Sequence, residues 1–208
     1  VVRRRLRALA YLNRGMRVVF VDERVKDPQE REHVFQFDGG LTDYVQFLNR
    51  DKTPLFDQVI CFEGTKDDVI TRVALQYSDS YTESVFSYVN NIPTAEGGTH
   101  EIGFKAAFTK AFNDFARKIG ALKDKDANLT GEDFREGLTA VLSCSVRNPQ
   151  FEGQTKGRLG NTEVRPAVEA VVSERLAAFL EDLKNQDMAQ KIVEKAIRAA
   201  KVREASRK

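Results

Sequence analysis

Phe151-Glu152-Gly153-Gln154-Thr155-Lys156-Gly157-Arg158-Leu159-Gly160-Asn161-Thr162-Glu163-Val164 separates a strand-like run, Leu138 to Val146, from a long helical tail. Glycines at 153, 157 and 160 free the backbone for turns that a β-carbon would forbid. Between the first two of them, Gln154, Thr155 and Lys156 set an amide, a hydroxyl and an ammonium side by side. That trio suits a phosphate: amide and hydroxyl donate neutral hydrogen bonds, and the ammonium a charge-assisted one. An ordinary connector between strand and helix is also polar and glycine-rich, so the segment alone names no ligand.

On its N-terminal side, Leu138, Ala140, Leu142, Cys144 and Val146 alternate and line one face of a strand that feeds the loop. Thr130 begins a short helix before that strand. Phe104, Phe108, Ala111, Phe115 and Ile119 recur at helical spacing, with Thr99 as the expected cap and Glu101 set against the dipole. Lys105, Thr109, Lys110 and Arg117 fall elsewhere on that wheel, and Lys123 to Asn128 predicts a mobile charged loop. Val59 to Phe62, Val69 to Tyr77 and Ser84 to Val89 read as three strands. In the second, Val69, Val73, Leu75 and Tyr77 share a face, and the short polar turns predict antiparallel pairing of neighbours.

Earlier still, Leu6, Leu9 and Ala10 predict a helix stopped at Gly15, followed by a strand from Arg17 to Glu23. Asp27-Pro28-Gln29 predicts a turn, Glu32 to Phe37 the returning strand of a hairpin, and Leu41, Tyr44, Val45 and Leu48 one face of a helix. Beyond the loop, Val168, Val172, Leu176, Phe179 and Leu183 predict a helix that tolerates Pro166 in its first turn. Asp187 and Gln190 have the form of a capping box for a last helix. Its apolar stripe is Ile192, Val193, Ala196, Ala199 and Ala200, and its basic flank Lys191, Lys195, Arg198, Lys201 and Arg203. Strands pairing antiparallel with packed helices predict an α+β fold.

With 41% hydrophobic and 31% charged residues, composition points to a globular domain rather than a disordered segment. No apolar run reaches the roughly 18 residues of a membrane span, and no signal-peptide core follows the basic start Val1 to Arg7. A first residue other than Met is expected of a piece of a longer protein. Lys and Arg total 33 against 31 Asp and Glu, so any nucleic-acid contact must come from local patches. Cys61 and Cys144 lie in apolar runs without metal spacing and predict two buried, reduced thiols, as in a cytoplasmic protein. No phosphate-binding G-x-x-x-x-G-K-[ST] loop exists, and His100-Glu101 lacks a second His four positions on. With His33 as the only other histidine, no metal site and no histidine triad is expected, and His100 is expected to order the Gly97-Gly98 turn.

Phe151 to Lys156 followed by Leu159 to Val164 resembles the "QTK loop" of bacterial type II DNA topoisomerases. There it closes the transducer domain of the ATPase subunits, the DNA gyrase B chain being the first reading and the topoisomerase IV B chain the second. Two further blocks agree, in the family's order: Tyr88-Val89-Asn90-Asn91-Ile92 running into Glu96-Gly97-Gly98-Thr99-His100-Glu101, and Gly131-Glu132-Asp133-Phe134-Arg135-Glu136-Gly137-Leu138-Thr139-Ala140-Val141. The resemblance covers essentially the whole chain. It implies a ribosomal-protein-S5-domain-2-like transducer domain over 25–165, C-terminal helices over 166–208, and the end of a preceding ATPase domain over 1–24.

It also implies a role: coupling ATP binding and hydrolysis in the adjacent ATPase domain to dimer-gate closure and DNA strand passage. By position, Gln154 and Lys156 bind the ATP γ-phosphate, Lys156 being catalytic, while Thr155 shapes the loop. Lys105 is the DNA-binding residue, where the family often has Arg. ATP and Mg²⁺ belong to the intact enzyme, and the family's nucleotide pocket lies upstream of Val1. This chain alone is therefore expected to bind no cofactor and to be inactive, with the 151–161 loop disordered or displaced. The implied partners are the upstream ATPase domain, a DNA duplex, the gyrase A protein and a second copy of gyrase B, in the cytoplasm. The alternative is a stand-alone S5-like nucleic-acid-binding module, which gives Gln154-Thr155-Lys156 no role.

Overall fold

The computed structural model describes residues 1–208. The chain opens with α1 (Val2–Leu12), and Gly15 turns it at φ 78° into a ribbon of β1 (Val18–Val21) and β2 (Glu32–Phe35). The turn expected at Asp27-Pro28-Gln29 is a one-turn helix, α2 (Pro28–Arg31). Asp27 caps it by accepting from the Gln29 amide, and Pro28 sits in its first turn, where a missing N–H costs nothing. There follow α3 (Leu41–Leu48), β3 (Ile60–Lys66), β4 (Val69–Tyr77), β5 (Ser84–Val89) and β6 (Ile92–Pro93). Next come α4 (Thr99–Lys118), α5 (Gly131–Arg135), β7 (Leu138–Ser145), β8 (Phe151–Glu152) and β9 (Arg158–Leu159). The chain ends with α6 (Val164–Glu181), a 3-10 turn (Leu183–Asn185) and α7 (Gln186–Ala205).

The main sheet runs β3-β4-β7-β5-β6. β3 with β4 and β4 with β7 are antiparallel, but β5 pairs with β7 in parallel and never touches β4 in the ladder. The expectation that neighbouring strands pair therefore fails at β5. Leu138 to Cys144 are all buried, so this run belongs in the middle of the sheet, where both edges find ladder partners. The parallel pairing needs a crossover, and the stretch holding α4 and α5 supplies it.

Both faces of the sheet are covered, which makes a three-layer α+β body. On one face, Val69, Val73, Leu75 and Tyr77 join Leu138, Ala140, Leu142 and Cys144 against Phe104, Phe108 and Phe112 of α4 and Val168, Val172 and Leu176 of α6. On the other, Ala74, Tyr88 and Val141 meet Tyr11 and Leu12 of α1 and Leu41, Tyr44 and Val45 of α3. The first helix is thus packed on the same sheet as the rest: Tyr11 stacks on Phe37 at 3.6 Å, and the Tyr44 and Tyr88 hydroxyls meet at 2.8 Å.

Several local expectations are corrected by this packing. The buried face of α4 is wider than the single stripe, because the helix lies between sheet and helices: Phe112 is fully buried, while Ile119, past the helix end, is 36% exposed. Lys123 to Asn128 is pinned rather than mobile, since the Arg117 guanidinium donates to the Lys123 and Asp126 carbonyls and to Asn128 Oδ1. α6 stops at Glu181, so Leu183 is out in solvent. The Asp187/Gln190 capping box does not form; Asp182 does the capping at that corner by accepting from the Lys184 amide. Of the basic flank of α7, Lys195 is buried and Arg203 is spent on Asp133, with N–O distances of 2.9 and 3.0 Å that fasten α7 to α5. Cys144 is buried, which pushes its thiol up to about 12, but Cys61 is exposed, because alternation on the edge strand turns it away from Ile60. No helix is long and apolar enough to cross a membrane.

Phe112 touches Phe108 and Phe134 in the middle of this core. Phe112→Ala is expected to lower the unfolding free energy by about 3–5 kcal/mol in urea denaturation followed by circular dichroism. A loss below about 1 kcal/mol would contradict the packing described.

Candidate functional site

The glycine-rich stretch forms a hairpin, β8 with β9. Gly153 (φ 76°) and Lys156 (φ 54°) both take left-handed backbone at its tip, and Gln154, Thr155 and Lys156 are exposed there. Arg158 pairs with Glu152 across the two strands at 3.1 Å. The tip offers exposed chemistry on a fixed base.

The base is stitched to α4. Leu159 is buried, and its amide donates to the Gly97 carbonyl at 3.1 Å while the Glu96 amide donates to the Gly157 carbonyl at 2.8 Å. Gly98 forms a parallel bridge with Leu159. A β-carbon at Gly98 would lie 2.5 Å from both the N and the O of Leu159, and its φ of 137° excludes L side chains. This contact also decides the helix start. Gly98, not Thr99, is the N-cap of α4, and the Thr99 hydroxyl is buried without a partner.

The other side of the base is stitched to α6 through Asn161, which is buried. Its Oδ1 accepts from the Gln150 amide at 2.6 Å, and its Nδ2 donates to the Asn148 carbonyl and to Glu163. α4 and α6 in turn pack closely: a β-carbon added at Gly103 would lie 2.7 Å from the Arg165 carbonyl oxygen. The hairpin root is thus bonded next to the starts of two helices that pack closely on each other.

His100 lies under this root, fully buried. It orders the Gly97-Gly98 turn at one remove: the Gly97 amide donates to the Thr94 carbonyl, and the Thr94 hydroxyl meets His100 Nε2 at 2.9 Å. Burial holds the imidazole down to about 4, with the Glu101 charge opposing, so it is neutral at physiological pH. Its Nδ1 has no partner. From Thr94 the polar contacts continue to Ser87 Oγ at 2.8 Å, to Glu101 Oε2 at 2.8 Å, and from Glu101 Oε1 to Lys105 Nζ at 2.9 Å. Lys105 also reaches Glu83 at 3.4 Å, and Arg135 meets the same Glu83 oxygen at 2.8 Å.

Gln154, Thr155 and Lys156 are thus brought together, but Lys105 is not part of their cluster; it sits in the second turn of α4, beyond the hairpin root. Ser87, Thr94, Glu83 and Arg135 were not singled out in the sequence. The one available signal was a hydroxyl, Ser87, on a largely apolar strand, and a second, Thr94, just past the next one. No group of three or more His, Cys, Asp and Glu side chains is placed to hold a metal.

Residues 40–208 match the family model described as DNA gyrase B. This chain belongs to the DNA gyrase B family. It is 48% identical over 205 residues, 98% of its length, to the DNA gyrase B protein of Clostridium acetobutylicum, of which it spans 31%. To the DNA gyrase B protein of Bacillus cereus it is 50% identical over 204 residues, covering 98% of this chain and 49% of that one. The chain therefore spans less than half the length of these curated relatives. Among solved structures, the 43K ATPase domain of Thermus thermophilus gyrase B, in complex with an aminocoumarin, superposes with a TM-score of 0.86 at 40% identity. That alignment covers 99% of this chain and 54% of the Thermus chain.

Two measurements test the root. Gly98→Ala is expected to cost about 1–3 kcal/mol and to speed hydrogen exchange at the Leu159 amide. Gly153→Ala, also at positive φ but in open space, is expected to cost less, and equal costs would contradict the clamp. His100 ordinarily protonates near 6.5 and is held to about 4 in the fold. Between those values the unfolded chain binds a proton that the folded chain refuses, so this contribution to stability is complete above the upper value. It falls as the pH drops towards the lower one, by up to about 1.4 kcal/mol per pH unit. An NMR titration of the His100 ring with a midpoint near the ordinary histidine value would overturn this.

Proposed function

We propose that this chain is the transducer segment of a gyrase-type type II DNA topoisomerase, coupling ATP use in an upstream ATPase domain to gate closure and strand passage. In this reading residues 1–24 end the ATPase domain, 25–165 form an S5-domain-2-like transducer, and 166–208 are the helices leading on to the gate. The observation that supports it is the exposed Gln154-Thr155-Lys156 tip on a root stitched to both α4 and α6. The donor set fits the terminal phosphate of a nucleotide held, with its Mg²⁺, by another domain: an amide, a hydroxyl and an ammonium, all on exposed residues.

Lys156 is the residue that matters most. Its ammonium offsets negative charge that grows on the transferred phosphoryl oxygens, while Gln154 orients the group through neutral hydrogen bonds. Thr155 shapes the tip. When the terminal phosphate leaves, the hairpin loses its outside partner, and the clamp at Gly98 and Asn161 passes the change to α4 and α6. Because the proposed pocket belongs to another domain, the chain alone turns over no ATP.

Lys105 is proposed as a contact to the captured DNA duplex, made to phosphates and hence independent of sequence and weakened by salt. The gyrase A protein and a second copy of gyrase B complete the proposed assembly, in the cytoplasm. Membership of the DNA gyrase B family favours gyrase over topoisomerase IV.

The test is steady-state ATP hydrolysis by the intact gyrase B protein. Lys156→Ala is expected to lower turnover by about 10²-fold with folding and nucleotide binding retained, and Gln154→Ala by less. Unchanged turnover in Lys156→Ala would contradict the reading and favour a nucleic-acid-binding module without ATP coupling.

A further inference from the structure

A single carboxylate oxygen holds two cations together beside the proposed DNA contact. Glu83 Oε1 lies 3.4 Å from Lys105 Nζ and accepts from Arg135 Nε at 2.8 Å. Glu83 is 37% exposed, and it sits in the irregular segment just before β5. The two cations are on firmer supports. Lys105 is on the long helix α4, and the Arg135 side chain is only 17% exposed. Glu101, the second acid on Lys105, is itself held by the Ser87 hydroxyl at 2.8 Å and is only 18% exposed. Glu83 is therefore the partner able to leave.

Next to this bridge a cleft of about 440 Å³ opens between α4 and α5. Lys105, Thr109, Lys110, Asn128 and Arg135 are among its lining residues, and the one acid there, Asp114, is paired with Lys110 at 2.8 Å. The lining thus consists mostly of hydrogen-bond donors, while the chain as a whole has a net charge of only +2. Bulk attraction contributes little, so local exchange of anions decides the contact.

We propose that Glu83 stands in for a DNA phosphate. In the DNA-free chain its carboxylate keeps Lys105 and Arg135 at the spacing of one anion; on binding, a backbone phosphate takes its place. Arg135 is then a second DNA-contacting residue, and Glu83 sets the strength of the contact by competing for both cations. The exchange costs little because the leaving Glu83 carboxylate is open to water, where it is solvated and its attraction screened by salt. The two cations are held ready for the incoming group, which gains charge-assisted hydrogen bonds from both. This inference rests on Lys105 touching DNA.

The experiment is binding of a short mixed-sequence duplex to the intact gyrase B protein, by fluorescence anisotropy across a salt series, with thermal unfolding of each variant alongside. Glu83→Gln removes the competing charge and is expected to tighten binding by about three- to tenfold at low salt. Lys105→Ala and Arg135→Ala are expected to weaken binding and to lower the salt slope by about one each. Arg135→Lys, which keeps the charge, should keep the slope. Binding unchanged or weakened in Glu83→Gln overturns the proposal, whatever Arg135→Ala does to folding. If Lys105→Ala weakens binding while Glu83→Gln fails to tighten it, only the stand-in role falls. If Lys105→Ala leaves both affinity and slope unchanged, the underlying DNA contact falls with it.

Discussion

The backbone of Leu159 passes so close to Gly98 that a β-carbon there would have no room. Everything proposed for the loop depends on that approach. Without it the hairpin would keep only its hold at Asn161, on the side of α6. With it, the hairpin shares hydrogen bonds with Glu96 and Gly97, in the turn that leads into a helix whose buried face carries Phe104, Phe108 and Phe112. Close-packed interiors transmit displacement because they have few voids to absorb it. In the proposed reading, a small change at the exposed tip is passed through this root to α4 and α6.

Chemistry and mechanics are separated by this arrangement. The proposed phosphate-facing groups lie on exposed turn residues, which adjust cheaply, and the transmitting groups lie in the buried root, which does not. His100 belongs to the second kind. Buried and neutral, it secures Thr94 and hence the Gly97 turn, and its depressed basicity reflects burial rather than a proton-transfer role. The polar contacts from Thr94 through Ser87 and Glu101 to Lys105 place the hairpin root and the proposed DNA side within one hydrogen-bonded network. In a low-dielectric setting such networks hold their geometry firmly, because an unpartnered member is costly.

Much of the scaffold was legible in the sequence. Alternation along Val69 to Tyr77 and Leu138 to Cys144 gave the two central strands and their buried faces, and the stripe of α7 from Ile192 to Ala200 was read correctly. The tip was legible as a motif, since Gln154, Thr155 and Lys156 are adjacent in the chain. What stayed hidden was set by tertiary contact. The placement of β7 between β4 and β5 depends on a crossover that periodicity does not record. Thr99 has good capping chemistry, yet Gly98 takes the position because of what lies across from it. Asp187 lost its expected capping role because α7 begins at Gln186, which places Asp187 inside the first turn. Glu83 and Arg135, far apart in sequence, meet only once β5 and α5 are folded against α4.

The central claim is that a phosphate at Lys156 is felt at the start of α4. Amide hydrogen exchange in the intact gyrase B protein, with and without a non-hydrolysable ATP analogue, measures this directly. The account predicts that the analogue raises protection at Leu159 and across Thr99 to Gly103, and that Lys156→Ala abolishes the change while the analogue still binds. Protection at the start of α4 that is the same with and without bound analogue would contradict it.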